Sequence, residues 1–489
     1  MSLTIASFLG LAIGSALGAP LYGFKEGHIR QLIGEEVTRY VDPVAAFPDK
    51  PGKWRKRALY AAAAQQALAI ADTLAIYGTA DVAALADLYV RLANAPLRDA
   101  PLGGHRMPGH FFRKAVQAMR ENADAKNFDF RMCGQVASGS SAAARIAPVG
   151  LFFADDPEQM ARATIDFALM THRDPRAVAG ALSVAYAVSR LIGNAEPVKV
   201  ADETYDFVSH WEDILHDEYF DFFSDREPLP GPAIFHGMSN ALKSLPSLLR
   251  EDNLTLASQT ILEAANAAEP FQPVANPHGP FAPACVTMAI YRALSARSFL
   301  VGMLETVNAG SDTESVSAIV GALLGARFGL DAIPEEWRSE LVNKEQVLVR
   351  ARGLEDHEAD WSMLEDYVQM ETQLTQDEDD HVARAQKEQA ARLEKVREKM
   401  DEKKSRQASQ AAKKKNADSH ILSFSATPQE WQKDLSPGTL PPLDDLTRDP
   451  VQAKKDRALR GRKRIAWKDD RREKHKDGEA VPEEDETED

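Results

Sequence analysis

The stretch HWEDILHDE, residues 210–218, holds the side chains most obviously able to do chemistry. Glu212 and His216 stand one helical turn apart, a spacing at which a carboxylate and an imidazole can share a metal ion. Two ligands do not make a site, and on so charged a stretch the pair reads as a solvated helix face. The run RGRKRIAWK, residues 460–468, sets Trp467 among basic residues, as nucleic-acid binders do. An acidic end, DGEAVPEEDETED, follows closely and could mask it, so a solvated tail is the expectation. The glycine-rich PLGGHRMPGH, residues 101–110, lacks the strand–loop–helix setting of a phosphate cradle. The fourth stretch is notable for what it cannot do. YAAAAQQALAIADTLAIYG, residues 60–78, opens a helical pattern with four alanines, whose methyl groups offer no chemistry.

The elements around these stretches are helices. From about residue 3 to 345, apolar residues recur at intervals of three and four, while alternating Val/Ile/Thr runs are scarce. Many of these segments are rich in Ala and Gly, which lets helices approach closely. The expectation is a compact all-α domain over residues 1–345. The apolar N-terminus, MSLTIASFLGLAIGSALGAPLYGF, has no basic leading region and contains Pro20, so it reads as a buried first helix rather than a targeting or membrane segment. Residues 346–376, with Trp361, Leu364, Tyr367 and Met370 at helical spacing, are expected to form a linking helix that docks on the body or on a partner. Residues 377–489 are dense in charge. They read as a largely disordered tail that includes a solvated, single-helix stretch and a short apolar island at 421–435.

Charge divides the same way. The 489-residue chain carries a net charge of −16, yet residues 384–489 hold 26 Lys and Arg against 23 Asp and Glu, so the deficit lies in the body. An acidic body does not favour nucleic acid. Two cysteines, Cys133 and Cys285, give no disulfide framework and suit a reduced, cytoplasmic setting.

Five ordered stretches carry a resemblance. They are GLAIGSALGAPLYGF (10–24), the alanine stretch after Tyr60, SGSSAAARIAPVGLFF (138–153), THRDP (171–175) and VNAGSDTESVSAIVGALLGARFG (307–329). In order, spacing and helical context they resemble the ADP-ribosylglycohydrolase family, which includes the arginine-ADP-ribose hydrolases and the activator of modified dinitrogenase reductase. The resemblance covers roughly residues 5–340. It implies an all-α fold around a cleft holding two magnesium ions. In the family the first marker usually reads GDALGxPxEG, the second TDDT at a helix start, the third GNGxxMRxxP and the fifth GGDTDT. Three residues of TDDT and three of GGDTDT ligate the metals, and the glutamate of the first marker serves hydrolysis in some members.

Carried over position by position, little of that site remains. Ser15 stands where the first Asp is usual and Tyr22 where the Glu is. Ala61, Ala62, Ala63 and Ala64 occupy the TDDT positions. Ser140 and Ser141 replace Asn and Gly, while Arg145 and Pro148 remain. Ser311 replaces a Gly, Asp312 is kept, Glu314 replaces Asp and Ser315 replaces Thr. Magnesium requires oxygen ligands in near-octahedral geometry, and a methyl group supplies none. The next carboxylate on the alanine helix, Asp72, lies ten residues from Ala62, about 15 Å along the axis.

The resemblance implies Ser140, Ser141, Arg145, His172 and His278 as candidate cleft residues for a ligand. Asp312, Glu314 and Ser315 are implied as metal ligands only if a site survives. Three functions are compatible with this pattern. The first is a non-catalytic member that binds ADP-ribose, a related nucleotide, an ADP-ribosylated protein or a protein partner, with no cofactor and with the tail as an interaction arm. The second is an active hydrolase with a rebuilt site, in which one magnesium ion sits with waters on those three residues. The third is a structural or assembly protein with a vestigial cleft.

Overall fold

The structure is a computed structural model that describes residues 2–422, apart from 35, 98–101, 226–228, 270–271 and 358–361, with side chains described to residue 415. The fold is all-α. Among the described residues the extended pairing is limited to two isolated bridges, Lys25 with Gly310 and Gln135 with His172. Ten helices frame and support the site: α1 (Leu3–Gly18), α2 (Ala62–Tyr77), α3 (His110–Glu121), α4 (Pro175–Ile192), α5 (Pro197–Glu218), α6 (Gly237–Leu242), α7 (Ala282–Ser295), α8 (Thr313–Phe328), α9 (Lys344–Asp356) and α10 (Tyr367–Leu422).

The apolar N-terminus forms the core helix α1. Ala6, Gly10, Gly14 and Gly18 recur every fourth residue and face Gly325, Gly321, Ser317 and Thr313 of antiparallel α8. A Cβ on Gly10 would stand 2.1 Å from the Gly321 carbonyl oxygen, and one on Gly14 would stand 1.9 Å from that of Ser317. Only residues without a side chain permit such backbone contact. The segment Leu3–Leu21 is long and apolar enough to cross a membrane, but most of it is buried inside this fold. The close pairing also brings the C-terminal turn of α1, with Ser15, against the N-terminal turn of α8, with Glu314.

Asp72 is buried on α2 and held by Arg350 of α9, with Nε 2.8 Å from Oδ1. Burial pushes its carboxyl up to about 6 despite that partner. The segment 346–376 divides between the end of α9 and the start of α10. Tyr367, Met370, Glu371 and Thr375 are buried against the body, and Trp361 lies outside the described residues. The helix runs on to Leu422, with its described side chains beyond residue 391 in solvent. The unit that contains the core spans residues 1–396, and residues 397–489 form a second unit. The basic run, the acidic end and residues 423–435 of the apolar island lie outside the described residues.

The Glu212–His216 pair corrects an expectation. Glu212 is wholly buried rather than solvated, and its carboxylate accepts the Met238 and Ser239 amides at 3.0 and 3.2 Å. It thereby caps α6 from a neighbouring helix, satisfying amides that have no partner within their own helix. His216 is exposed and pairs instead with Asp217. Among the described residues no group of three or more His, Cys, Asp or Glu side chains could hold a metal ion.

Candidate active site

A cleft of about 940 Å3 opens where α2, α3 and α8 converge with the loop before Ser141. The alanine stretch forms part of its wall. Helix α2 begins at Ala62, and Ala61, its N-terminal cap, has no side-chain oxygen to offer the first amides. Other elements supply the missing acceptors. Ser15 Oγ accepts the Ala61 amide at 2.9 Å and donates to Glu314 Oε1 at 2.6 Å. The same Glu314 oxygen accepts the Ala63 amide at 2.9 Å. Glu314 carries one methylene more than the family's aspartate, and the longer arm reaches the helix end. The donors that meet this carboxylate are a helix N-terminus and a hydroxyl.

Asp312 has a parallel arrangement. Ser140 donates to its Oδ2 at 2.6 Å and Ser315 to its Oδ1 at 3.0 Å. Its position is fixed by backbone: its amide donates to the His278 carbonyl at 3.1 Å, and the Ser311 amide donates to the Phe24 carbonyl at 2.6 Å. Ser311 sits at φ +71°, a left-handed conformation that favours glycine, the residue the resemblance puts there.

Both acids are nearly removed from water. Burial pushes Glu314 up to about 7, against the pull of its Ser15 and Ala63 hydrogen bonds, and Asp312 is raised by burial as well. Two magnesium ions do not fit this donor set. The alanine wall contributes methyl groups, and the remaining carboxylates spend oxygens on serine hydroxyls and a backbone amide.

The candidate ligand residues divide between the cleft wall and the layer behind it. Ser140, Ser141 and His172 line the cleft along with Asp312, Glu314 and Ser315. His172 Nε2 is 2.9 Å from Ser141 Oγ and its Nδ1 is 2.8 Å from Thr171 Oγ1. Burial, with Arg145 nearby, lowers its imidazole to about 3, so it is neutral at physiological pH. Arg145 is buried behind the wall, donating to Gln66 Oε1 at 2.8 Å and bonded to Thr171 Oγ1. His278 also sits off the wall, with Nε2 3.3 Å from the Arg292 guanidinium. Burial and Arg292 lower it to about 3. Tyr22, where the family glutamate is usual, stands half-exposed at the mouth with Lys53 Nζ 5.7 Å from its ring centroid.

Further residues line the wall, some of them from the glycine-rich stretch 101–110, whose expected place is a surface turn near the cleft. Arg176 lines the cleft and is neutralised by Asp174 at 2.8 Å and Glu269 at 2.9 Å. Met107, His110 and Phe111 form another, more apolar side. The available signal was the DP pair at the start of α4, since an aspartate at the cap and an arginine two residues on often pair locally.

The sequence model of the ADP-ribosylglycohydrolase family matches residues 2–369. An uncharacterized protein of Archaeoglobus fulgidus is 24% identical over 339 residues, which is 69% of this chain and 90% of that one. The ADP-ribosyl-[dinitrogen reductase] glycohydrolase of Rhodospirillum rubrum is 23% identical, covering 71% of this chain and 92% of its own. The human ADP-ribosylhydrolase ARH3 is 23% identical, with 72% and 93% covered. A solved structure described as an ADP-ribosylglycohydrolase-related protein complex aligns with a TM-score of 0.49 at 21% identity, over 73% of this chain and 98% of that one. With the family match spanning all five marker stretches, the chain belongs to the ADP-ribosylglycohydrolase family.

Proposed function

We propose that this protein is a non-hydrolysing member of its family that keeps the cleft to bind an ADP-ribose-type nucleotide, free or attached to a protein. The observation that carries this reading is the Glu314 carboxylate. Its Oε1 caps α2 and accepts Ser15, so the acid closest to the alanine wall is committed to holding two helices together. The cleft itself has not collapsed. Its volume of about 940 Å3 is at the upper end of the range for small-molecule sites, roughly 300–1,000 Å3. Its wall combines an apolar side with a neutral hydroxyl–imidazole pair, Ser141 and His172, suited to orienting a polar ligand without general-acid chemistry at neutral pH. The charged, exposed face of α10 offers an arm for a protein partner.

Calorimetric titration with ADP-ribose, in EDTA and in millimolar magnesium, tests the reading. Equal affinity in both buffers, with no release of ADP-ribose from a modified arginine substrate, is the expected result. Hydrolysis that requires magnesium would replace this reading with an active enzyme rebuilt on Asp312, Glu314 and Ser315. Absence of binding in both buffers would leave the cleft vestigial.

A further inference from the structure

The apolar side of the cleft is held in place by α2 and by the first turns of α10. Residues 104–106 lead directly into Met107, His110 and Phe111, and they are gripped from two directions. From α2, Gln65 Nε2 donates to the Gly104 carbonyl at 2.9 Å, and its Oε1 accepts the Arg106 amide at 3.0 Å. From α10, Thr375 donates to the same Gly104 carbonyl at 2.8 Å and accepts Arg106 Nη1 at 3.1 Å. Glu371 Oε2 lies 2.5 Å from Arg106 Nη2, with both side chains almost fully buried. Glu371 also accepts the Tyr60 hydroxyl at 2.6 Å and Gln65 Nε2 at 2.8 Å. The residue after this anchor, Met107, is held at φ +46°, a conformation that a non-glycine residue adopts only where its surroundings impose it.

Glu371 and Thr375 lie beyond residue 369, where the family match ends. Farther along, Glu378 accepts the Lys56 amide at 3.2 Å and pairs with Arg55 at 3.2 Å, so α10 stays docked for about one more turn. The next stretch of the helix, from residue 391 to the end of its unit, is solvent-exposed.

We propose that the first turns of α10 are a clamp on the cleft. Glu371 and Thr375 are positioning residues: they fix Gly104–Arg106, and through this anchor they fix the Met107–Phe111 wall against which the ligand packs. The helix that braces one side of the cleft through this anchor therefore has a surface-exposed continuation, and whatever loosens its first turns loosens the site. The effect on affinity rests on the nucleotide reading above; the effect on the wall does not.

The test uses the full chain with T375V, E371Q and the double substitution, and T375S as the conservative control. Amide hydrogen exchange without ligand is read over residues 102–113, with α4 as an internal reference. ADP-ribose affinity is measured by calorimetry on the same proteins. The clamp requires exchange over 105–112 to rise about tenfold or more in T375V and further in the double variant, with α4 unchanged and T375S close to wild type. ADP-ribose affinity should fall by at least threefold in T375V and recover in T375S. Should E371Q prove too unstable to handle, T375V against T375S decides alone. Faster exchange within α10 itself but none over 105–112 would overturn the clamp. Loss of protection on the wall in a protein whose wild type does not bind ADP-ribose would keep the clamp and remove the nucleotide reading.

Discussion

Two buried glutamates flank the start of α2. Glu371 meets it beside Tyr60 and Gln65, and Glu314 meets it at Ala63. Both arrive from distant helices and both accept several hydrogen bonds. They differ in what stands opposite. Glu371 has a guanidinium 2.5 Å away, that of Arg106. Glu314 has a serine hydroxyl and an amide, with no cation in contact among the described residues, and its carboxyl is pushed up to about 7. One is a closed ion pair built into the fold. The other is an acid in a place suited to a positive ion, held by the nearest neutral donors. A buried carboxylate with no cation beside it can persist where a helix end without a capping side chain turns to it for a cap.

The largest effect expected from this contrast is at the closed pair. Glu371→Ala leaves Arg106 buried without its counter-charge, and breaking such a pair typically costs about 3–5 kcal/mol. Chemical denaturation should show that loss, while Glu314→Ala, which removes no counter-ion, should cost less at the same pH. Equal losses would mean that the two acids are held alike and would end the comparison.

The second expectation concerns sign. Glu314 is pushed up to about 7 in the folded protein from an ordinary value of 4.5, so the folded state holds this proton more tightly than the unfolded chain. Its contribution favours folding below about pH 4.5 and is lost as pH rises through about 7. Asp312 is shifted in the same direction. The buried, neutral His105, His172 and His278 act oppositely, so the informative quantity is the difference between wild type and Glu314→Gln. Between pH 5 and 8, wild type should lose up to about 3 kcal/mol relative to that variant, at 1.36 kcal/mol for each unit by which the carboxyl is displaced. A flat difference across that range would show that Glu314 is stably ionised, like a paired acid.

Much of this was legible in the sequence, for identifiable reasons. The helical periodicity is a local pattern that indicates an all-α fold, and the five ordered stretches carry the family resemblance, whereas the packing of Gly10, Gly14 and Gly18 against α8 appears only in the fold. The chemical types at the positions matching the family's ligands could also be read directly. What those types would do could not. Ser15 and Ser140 look like neutral replacements until the fold shows Ser15 donating to Glu314 and Ser140 to Asp312. The clamp was still less accessible: Glu371 and Arg106 are separated by 265 residues, and nothing local marks either as half of an ion pair. Glu212 misled for the same reason, since its partners are amides of another helix.

Ser15 gives a third, smaller test on the open side. Its hydroxyl links the Ala61 amide to Glu314, so Ser15→Ala strands a buried donor and takes a donor from the carboxylate. The expected cost is about 1–3 kcal/mol. It should be larger at pH 8 than at pH 5, because the ionised form of Glu314 needs the hydroxyl most. Combined with Glu314→Gln, the two losses should not add, since the residues share one hydrogen bond. Additive losses would mean that Ser15 stabilises α1 or α2 independently of the acid.

The smallest effect expected is a gain. Ser311 holds φ +71° at the turn that delivers Asp312 and Glu314 into the cleft, next to Gly310 at φ +75°. A non-glycine residue in the left-handed region costs roughly 1–2 kcal/mol, partly offset in the glycine variant by the greater entropy of the unfolded chain. Ser311→Gly should therefore raise stability by about 0.5–1 kcal/mol, a small but measurable rise in melting temperature. The serine backbone already pairs with Gly23 and Phe24, and glycine keeps both of those bonds. The clamp side offers a matched control, because Met107 is also left-handed, at φ +46°, but lies in the wall that binds ligand. Met107→Gly should relieve the same kind of strain while removing a cleft side chain, so it should weaken ADP-ribose binding where Ser311→Gly leaves it unchanged. If Ser311→Gly destabilises the protein, the turn is not a glycine position occupied by serine, and the register that aligns Glu314 with a ligand position of the family loses its backbone support.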